Sequence, residues 1–416
     1  MNVVKAINIV ISVLFTVCYA YQFFYIAVPF YKKGKPHKRT YVNRFAVLIA
    51  ARNEQGVIEH LIRSIQDQTY PSEYVDIYVV ADNCTDGTAA VSRELGATVY
   101  ERFNKTEIGK GYALDFLLTK ISETHEDGYY EGYFVFDADN VLDENFIYEM
   151  NRTYCDGHNI ITSYRNSKNY GDNWISAGYA LWYVRESRFL NNSRYLLNSS
   201  CAVSGTGFFF SHKIMKKCGG WKFFLLTEDI EFSVCNIIDG EKIAYCRGAY
   251  LYDEQPVKFR QSWRQRLRWS KGFLQVFAKH GAKLIKGIFK GSFSCFDLTM
   301  TIMPAMFLSI SCVLLDLVFG IYYLCIGESP ASLFYAILQT YLLAYTMLFI
   351  VGAISTITEW EKIYTPTWKK IFYVFTFPLF MMTYIPIAIQ ALFAKVGWKP
   401  IEHSRSKDLS QIRGGK

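Results

Sequence analysis

Two apolar blocks enclose a polar middle section, and this arrangement constrains the fold more than any other feature of the sequence. Residues 6–30 and 293–396 are dense in Leu, Ile, Phe, Tyr and Met, whereas residues 41–290 carry most of the acidic side chains. An apolar helix of about 20 residues is long enough to cross a bilayer. The hydrophobic share of 51% is therefore an average over a water-soluble section and sections that lie in a membrane.

The apolar blocks divide into one predicted span before the polar section and three after it. The first covers residues 6–30, and a cleavable signal peptide fits it poorly because the run is too long and no small-residue cleavage site follows. The later spans are predicted at about 300–325, 332–356 and 371–396. They are separated by a turn at 327–330 and by the polar stretch 359–370.

Basic residues determine the orientation that we predict. Five of them follow the first apolar segment directly: Lys32, Lys33, Lys35, Lys38 and Arg39. Because loops rich in Lys and Arg remain in the cytoplasm, the polar section is expected there. The sequence thus predicts a multi-pass protein of the plasma membrane with a cytoplasmic soluble domain.

The carboxyl-terminal tail complicates this topology. Its basic residues favour the cytoplasmic side: Lys399, Arg405, Lys407, Arg413 and Lys416. Three simple crossings after a cytoplasmic domain would instead leave the tail outside. Either Pro378 and Pro386 break the last segment into a re-entrant hairpin, or residues 293–325 contain an additional interfacial piece. We predict an inside tail.

Composition also excludes some functions. The net charge of +8 resides in clusters beside apolar segments, unlike the basic, aromatic-interleaved face of a nucleic-acid-binding protein. The ten cysteines form no CxxC pair, and the seven histidines form no HExxH motif. The sequence therefore predicts neither nucleic-acid binding nor a protein-built zinc site.

Residues 263–292 are predicted to form an amphipathic helix between the soluble section and the later spans. One face carries Lys279, Lys283, Lys286 and Lys290, and a roughly opposite face carries Phe273, Phe277, Leu284 and Ile288. A basic amphipathic helix of this kind lies in the plane of the membrane. The alternative is an ordinary surface helix packed on the soluble core.

The soluble section alternates between predicted strands and helices. Strands are predicted at 45–50, 75–80, 97–100 and 132–136, and helices at 56–68, 88–95 and 111–121. This order predicts an α/β fold with a parallel sheet covered by helices on both faces. Polar clusters follow Ala50, Val80 and Phe136, and ligands bind at the carboxyl ends of strands in such sheets.

One of these clusters is Asp137-Ala138-Asp139. Two carboxylates one residue apart at a strand exit can present an oxygen-rich edge to Mg²⁺ or Mn²⁺. Taken alone, the same pair is more often a set of solvated loop acids. Further motifs along the chain favour the metal-binding interpretation.

These motifs occur in a fixed order that resembles the family-2 glycosyltransferases, in particular the membrane-bound cellulose, hyaluronan, chitin and poly-N-acetylglucosamine synthases. The matching motifs are Ala51-Arg52-Asn53-Glu54, Asp82 with its Asp-Asn-Cys-Thr-Asp-Gly loop, Lys110-Gly111, Asp137-Ala138-Asp139, Ser204-Gly205-Thr206-Gly207, Thr227-Glu228-Asp229 and Gln265-Arg266-Leu267-Arg268-Trp269. The last is a QxxRW motif. The resemblance covers about 44–275 and implies a GT-A fold, Rossmann-like, attached to an α-helical transmembrane domain.

The resemblance assigns donor-side roles. It implies that Glu54 and Asp82 hold the uridine and ribose of a UDP-sugar, and that Asp139 coordinates Mg²⁺ or Mn²⁺. Asp137 is expected beside the metal and the nucleotide-sugar, close to Lys110. Arg268 is expected to bind the diphosphate, because the guanidinium fork matches phosphate oxygens.

Acceptor-side roles follow in the same way. Asp229 is the expected general base, with Glu228 orienting it or exchanging roles with it. Trp269 is expected to stack on the acceptor sugar, although Trp is also a common interfacial anchor. Gln265, Gly205 and Thr206 are expected near the acceptor, the alternative for the glycine segment being a plain turn. In-line displacement at the anomeric carbon would make the enzyme inverting.

The predicted domains are an anchor and basic linker at 1–40, a GT-A domain at 41–262, QxxRW with the interfacial helix at 263–292, transmembrane helices at 293–397 and a basic tail at 398–416. The expected partners are a nucleotide-sugar, a polysaccharide or lipid-linked acceptor, the lipid bilayer and export or accessory proteins. Three functions stay open: a synthase of a β-linked polysaccharide, which we favour, transfer of a few sugars to a lipid, and a catalytically silent scaffold or transporter subunit.

Overall fold

A computed structural model describes residues 2–327, 331–398, 400, 403 and 405–414. The predicted turn residues 328–330 and the tail residues Lys399 and Lys416 lie outside this described part. Eight strands form one sheet: β1 (Phe45–Ala51), β2 (Val75–Asp82), β3 (Thr98–Arg102), β4 (Gly132–Asp137), β5 (Val141–Leu142), β6 (Ile160–Ser167), β7 (Phe208–Ser211) and β8 (Ile243–Asp253).

The helices of the soluble section connect these strands. They are α2 (Ile58–Gln66), α3 (Thr88–Glu94), α4 (Lys110–Thr124), α5 (Phe146–Cys155), α6 (Trp174–Arg185), α7 (Asn192–Leu196), α8 (His212–Cys218) and α9 (Glu228–Ile238). A π-helical segment, Glu186–Asn191, joins α6 to α7. The strands and helices predicted between residues 45 and 136 are confirmed, with ends that differ by up to three residues.

The sheet has the order β3-β2-β1-β4-β7-β6-β8-β5. Strands β1 to β4 run parallel, as predicted. Beyond these predicted strands the sheet is mixed: β7 runs antiparallel to both β4 and β6, and β5 runs antiparallel to β8. Gly205 and Gly207, with φ of +78° and +65°, turn the chain so that it enters β7 beside β4 in the reverse direction.

Both faces of the sheet are covered, which explains the continuously apolar sequence of β1. Phe45, Val47 and Ile49 contribute to a core with α2 and α5, whereas Ala46 and Leu48 contribute to a core with α4 and α9.

The remaining helices are α1 (Asn2–Tyr31), α10 (Phe259–Phe289), α11 (Phe293–Ile302), α12 (Pro304–Cys325), α13 (Ala331–Thr358), α14 (Thr367–Met382), α15 (Tyr384–Phe393) and α16 (Leu409–Arg413). In the described part of the chain, three segments are long and apolar enough to cross a membrane: Ile9–Tyr31, Ile337–Thr358 and Thr367–Phe393. The span predicted at 300–325 falls mostly within α12, and the shorter apolar helix α11 precedes it.

The last predicted segment forms two helices, α14 and α15, which are separated by the single residue Thr383. Pro378 lies inside α14, and the helix ends near Thr383, three residues before Pro386. Both halves pack on the soluble domain: Phe380 lies against Tyr179 of α6, and Lys271 of α10 donates a hydrogen bond to the carbonyl of Ala391.

The apolar face of α10 does not lie free for the bilayer, so this part of our prediction is wrong. Leu284 is fully buried, and Phe273, Phe277 and Ile288 pack against the core that contains α4 and α9. The alternative, a helix packed on the soluble core, describes this face. Only Ile285 and Phe289 remain as exposed large apolar side chains on this part of the helix.

The carboxyl-terminal tail returns to the soluble domain. Arg413 forms ion pairs with Asp143 and Glu144, and Ile412 is buried against Val141 and Tyr252. The tail and the catalytic sheet therefore lie on the same side of the apolar helices.

Candidate active site

The carboxyl ends of four strands bring acidic side chains to one edge of the sheet. Glu54 follows β1, Asp82 ends β2, Asp137 ends β4 and Asp253 ends β8. Such edges are the ordinary ligand sites of open α/β sheets. The predicted clustering of these side chains is thus a consequence of the strand order β2-β1-β4.

Asp137 is held by groups from three parts of the chain. The ammonium of Lys110, at the first residue of α4, donates short hydrogen bonds to the Asp137 carboxylate and, over 2.8 Å, to the carbonyl of Gly205. The backbone N–H of Asp137 donates to Thr206 Oγ1 at 2.9 Å. Thr206 Oγ1 in turn donates to Asn140 Oδ1 at 2.5 Å. The Thr206 hydroxyl is thus engaged inside the protein and fixes the end of β4.

Asp139 is buried, with a relative exposure of 4%. Its Oδ2 accepts a hydrogen bond of 2.9 Å from the N–H of Glu254 and lies 4.0 Å from His403 Nε2. Burial opposes ionisation, but the charges of His403 and Lys168 lower the pKa of Asp139 below its ordinary value. Asp139 therefore remains anionic.

A metal ion fits this edge when the donor supplies part of its coordination. Among the described residues, no group of three or more His, Cys, Asp and Glu side chains has the geometry of a complete metal site. Mg²⁺ and Mn²⁺ are commonly held by one or two carboxylates together with substrate phosphates. Asp139 and the neighbouring Asp137 fit that mode of binding.

The two predicted nucleoside-binding acids differ in their surroundings. His403 Nδ1 lies 2.9 and 3.1 Å from the two carboxylate oxygens of Glu54, whose pKa is raised by burial. Burial alone would lower the pKa of His403, but Asp139 and Glu54 raise it to about 10. Asp82 is buried and bonded by Arg102 over 2.8 Å.

Glu228 and Asp229 open α9 on the other side of Lys110. The Asp229 carboxylate lies against Gly205, because a Cβ atom added to this glycine would lie 3.9 Å from Asp229 Oδ2. The carbonyl of Gly205 accepts a hydrogen bond from Lys110, which also bonds Asp137. Burial, followed by repulsion from Asp229, raises the pKa of Glu228 to about 7. Burial also raises the pKa of Asp229.

The QxxRW residues lie within the first half of the long helix α10. Gln265 Oε1 and Arg268 Nε are buried without a hydrogen-bond partner, and the charge of Arg268 acts on Glu228. Trp269 is partly buried and meets the Tyr179 ring edge-on, with centroids 5.8 Å apart. Trp269 is thus in contact with the aromatic cluster of α6 and α15.

Arg266, inside the same motif, has a different environment from Arg268. Its guanidinium is fully buried and lies 4.4 Å from the centre of the Phe380 ring. It also donates a hydrogen bond of 2.6 Å to Thr383 Oγ1. Arg266 therefore connects QxxRW to the break between α14 and α15.

The sequence analysis missed four charged residues of this edge: Arg165, Lys168, Asp253 and His403. Asp253 forms an ion pair with Arg165, and burial raises its pKa to about 6. The Lys168 ammonium is buried without a hydrogen-bond partner. Asp253 could have been found by the strand-end rule applied to β8, whereas nothing in the sequence marks His403, a lone histidine in the tail.

With this geometry in place, comparison with known proteins gives the family. The profile described as "Glycosyltransferase like family 2" matches residues 43–272, which is more than half of the chain. The chain belongs to this glycosyltransferase family. The resemblance seen in the ordered motifs is thereby confirmed, and a catalytically silent scaffold is the less economical interpretation.

This glycosyltransferase has several relatives of known or assigned activity. The probable glycosyltransferase YdaM of Bacillus subtilis is 25% identical over 58% of this chain and 58% of its own length. The poly-beta-1,6-N-acetyl-D-glucosamine synthase of Staphylococcus epidermidis is 23% identical over 62% of this chain and 63% of its own. The beta-monoglucosyldiacylglycerol synthase of a Nostoc species is 23% identical over 58% and 51%. The matches thus span about half to three fifths of these relatives.

A solved structure extends the likeness to nearly the whole glycosyltransferase. The mannosyltransferase PcManGT of Pyrobaculum calidifontis, in complex with GDP-Man and Mn²⁺, superposes with a TM-score of 0.59 at 15% identity. The superposition covers 94% of this chain and 99% of PcManGT. The predicted GT-A fold with attached apolar helices is confirmed.

Proposed function

We propose that this glycosyltransferase transfers a sugar from a nucleotide-sugar, with UDP-sugar as the favoured donor, to the end of a β-linked saccharide at the cytoplasmic face of the plasma membrane. The observation that carries this proposal is the position of Asp229 beside Gly205. The carbonyl of Gly205 accepts a hydrogen bond from the Lys110 ammonium, and the same ammonium bonds Asp137. Asp137 on the donor side and the candidate base Asp229 are thus linked through Lys110 and Gly205.

On the donor side, the protein supplies both anions and cations. Asp139 and Asp137 hold a divalent metal ion, which neutralises negative charge on the departing diphosphate when bound. PcManGT holds Mn²⁺ with its GDP-Man, which supports this assignment. Arg268 contributes a buried guanidinium nitrogen without a partner, and it binds the diphosphate. Glu54 and Asp82 hold the nucleoside.

On the acceptor side, Asp229 accepts the proton of the attacking hydroxyl. A general base must lie within hydrogen-bond reach of that hydroxyl and must be deprotonated. The raised pKa of Asp229 makes it a stronger base than an exposed aspartate, while Glu228 keeps a proton up to about pH 7. Attack opposite the departing diphosphate inverts the anomeric centre, so an α-linked donor gives a β-glycoside.

Two acceptors are compatible with these residues. The relatives include a polysaccharide synthase and a glycolipid synthase at equal identity. We favour the polysaccharide, because Trp269 lies in an aromatic cluster that suits a pyranose ring. The second candidate is addition of one or two sugars to a lipid, which the close packing of α1, α14 and α15 on the catalytic domain favours.

The deciding experiment uses the full chain in lipid nanodiscs with a panel of radiolabelled nucleotide sugars and Mg²⁺ or Mn²⁺. A ladder of long water-soluble chains supports the polysaccharide, and a chloroform-soluble product with one or two sugars supports the lipid acceptor. Absence of transfer from every donor, in the presence of either metal and of membrane lipids, would contradict the proposed function.

A further inference from the structure

The helix that follows β6 contains a feature that the proposed mechanism does not use. Helix α6 passes at Glu186 into the π-helical segment Glu186–Asn191 and continues as α7. Segments of π-helix are rare, and they occur frequently at functional sites because the extra residue pushes side chains out of the regular register. Here the change of register falls on Arg185 and Glu186.

Glu186 lies on the acceptor side of the active site. Its Oε2 accepts a hydrogen bond of 3.3 Å from Ser204 Oγ. Ser204 directly precedes Gly205, the residue that lies against Asp229. The Glu186 carboxylate and the candidate base Asp229 therefore lie against consecutive residues, Ser204 and Gly205.

Glu186 makes no direct ion pair in the described part of the chain, although the charges of Arg194, Arg165 and Arg185 act on it. Two nearby guanidinium groups are already paired, Arg165 with Asp253 and Arg194 with Asp297. In the described part of the chain, Glu186 forms no ion pair within 4.0 Å, and its only hydrogen-bond donor is the Ser204 hydroxyl. A largely desolvated carboxylate with one donor retains unused acceptor capacity, which hydroxyl groups of a ligand can fill.

Arg185 extends the same group of side chains towards the membrane. Its Nη2 donates a hydrogen bond of 2.7 Å to Gln22 Oε1 on α1. Its Nη1 is buried without a hydrogen-bond partner. The guanidinium lies 4.9 Å from the centre of the Trp182 ring. Trp182 and Trp269 pack on the same aromatic cluster.

We propose that Glu186 and Arg185 form a subsite for a neutral saccharide, the sugar at the reacting end of the acceptor. The carboxylate of Glu186 accepts from ring hydroxyls, and Arg185 Nη1 donates to a hydroxyl oxygen. The aromatic cluster that contains Trp182 and Trp269 borders this subsite. This inference rests on the proposed function and specifies its acceptor class.

The test measures acceptor binding and acceptor KM separately. Two probes are used with the full chain in phosphatidylglycerol nanodiscs: a β-1,6-linked N-acetylglucosamine tetrasaccharide in solution, and monoglucosyldiacylglycerol in the bilayer. Binding is followed by tryptophan fluorescence without donor, and KM is measured with the best donor of the panel. The variants are Glu186→Gln and Arg185→Met, with Glu241→Gln, a carboxylate paired with Lys217 outside the site, as the matched control.

We expect Glu186→Gln and Arg185→Met each to weaken binding of the active probe and to raise its KM about tenfold or more, as loss of a charge-assisted hydrogen bond does. UDP affinity and the melting temperature should match those of Glu241→Gln. An unchanged acceptor KM, or parallel losses of UDP affinity and melting temperature, would overturn the subsite. If neither probe binds the wild-type protein, the saccharide subsite is also wrong. If a probe binds but no sugar is transferred to it, the proposed function fails while the subsite stands.

Discussion

At the scale of single residues, the two carboxylates at the start of α9 have separable tasks. Asp229 lies beside Gly205 and the Lys110–Asp137 pair, whereas Glu228 responds to Asp229 and to Arg268. The raised pKa of Glu228 means that it is protonated below about pH 7 and anionic above it. Above that pH the Glu228–Asp229 pair therefore carries two negative charges.

Replacement of the base should be far more damaging than replacement of its neighbour. We expect Asp229→Asn to lower kcat by about 10²- to 10⁴-fold, the usual contribution of a general base. Glu228→Gln, which mimics the protonated side chain, should retain most of the activity at pH 6. Initial rates under donor saturation measure both, and equal losses in the two variants would contradict the assignment of Asp229.

The same pair predicts a pH dependence. As pH rises through about 7, Glu228 loses its proton and the new charge repels the donor diphosphate, so donor KM should increase. Glu228→Gln cannot ionise, and its donor KM should stay flat across this range. Steady-state kinetics from pH 5.5 to 9 test this, and an inflection that persists in Glu228→Gln would assign it to another group.

Asp139 should control metal binding. We expect Asp139→Asn to weaken Mn²⁺ binding in the presence of UDP by about 10- to 100-fold or more. Asp127→Asn serves as the control, because Asp127 is an exposed carboxylate bonded to Lys216 and His212 away from the site. Electron paramagnetic resonance of free Mn²⁺ gives the affinities, and equal affinities in the two variants would place the metal elsewhere.

Residues at strand ends were predictable from the sequence, and residues brought in from a distance were not. Asp137 and Asp139 follow an apolar run that identifies β4, so their place at the sheet edge follows from chain order. Arg165 lies in the polar second half of β6 and Lys168 directly follows that strand, and this polar stretch resembles any surface loop in the sequence. His403 meets Glu54 across 349 residues of sequence, and no local pattern encodes such a contact.

At the scale of elements, a buried network ties the first apolar helix to the catalytic domain. Both oxygens of Asp297 in α11 accept hydrogen bonds from Arg194 of α7, at 2.7 and 2.8 Å. Tyr21 and Tyr25 of α1 also donate to Asp297, each over 2.8 Å. The carboxylate therefore holds α1, α7 and α11 together.

Removal of this carboxylate should be costly. Asp297→Ala leaves the Arg194 guanidinium buried and unpaired, which costs about 3–5 kcal/mol of unfolding free energy. The double variant Arg194→Met with Asp297→Leu should recover much of that loss, because no buried charge remains. Thermal unfolding in detergent measures both, and a double variant no more stable than the single one would contradict this explanation.

Helix α10 shows what periodicity can and cannot predict. The spacing of Phe273, Phe277, Leu284 and Ile288 correctly identified one apolar face. It did not identify the partner of that face, because acyl chains and a protein core are equally apolar. The apolar face of α10 packs on the protein because a core formed with α9 and α11 lies next to it. Only the tertiary structure shows that this core is adjacent.

At the scale of the whole molecule, the tail determines the topology. We infer an even number of crossings between the catalytic domain and the carboxyl terminus, because the tail contacts Asp143, Glu144 and Glu54. We propose that α12 and α13 cross the membrane and that the α14–α15 segment, which packs on α6 and α10, does not. The re-entrant hairpin at Pro378 and Pro386 stays a prediction, since Thr367–Phe393 is also long and apolar enough to cross.

A reporter at the carboxyl terminus tests this arrangement. In a bacterial expression host, a green fluorescent protein fused after Lys416 should be fluorescent, and alkaline phosphatase at the same position should be inactive. Both reporters are expected in the cytoplasm, where only the first one folds to its active form. A fusion after Gly327, behind α12, should give the opposite pair of results. Active phosphatase after Lys416 would contradict an even number of crossings.

The docked tail has a practical consequence for handling the protein. The ion pairs of Arg405 with Asp172 and of Arg413 with Asp143 hold the segment that contains His403 against the catalytic domain. A soluble fragment cut before α11 would lack His403 altogether, and its nucleotide affinity would misrepresent that of the intact enzyme. Inhibitor screens against this protein therefore call for a chain that retains the tail.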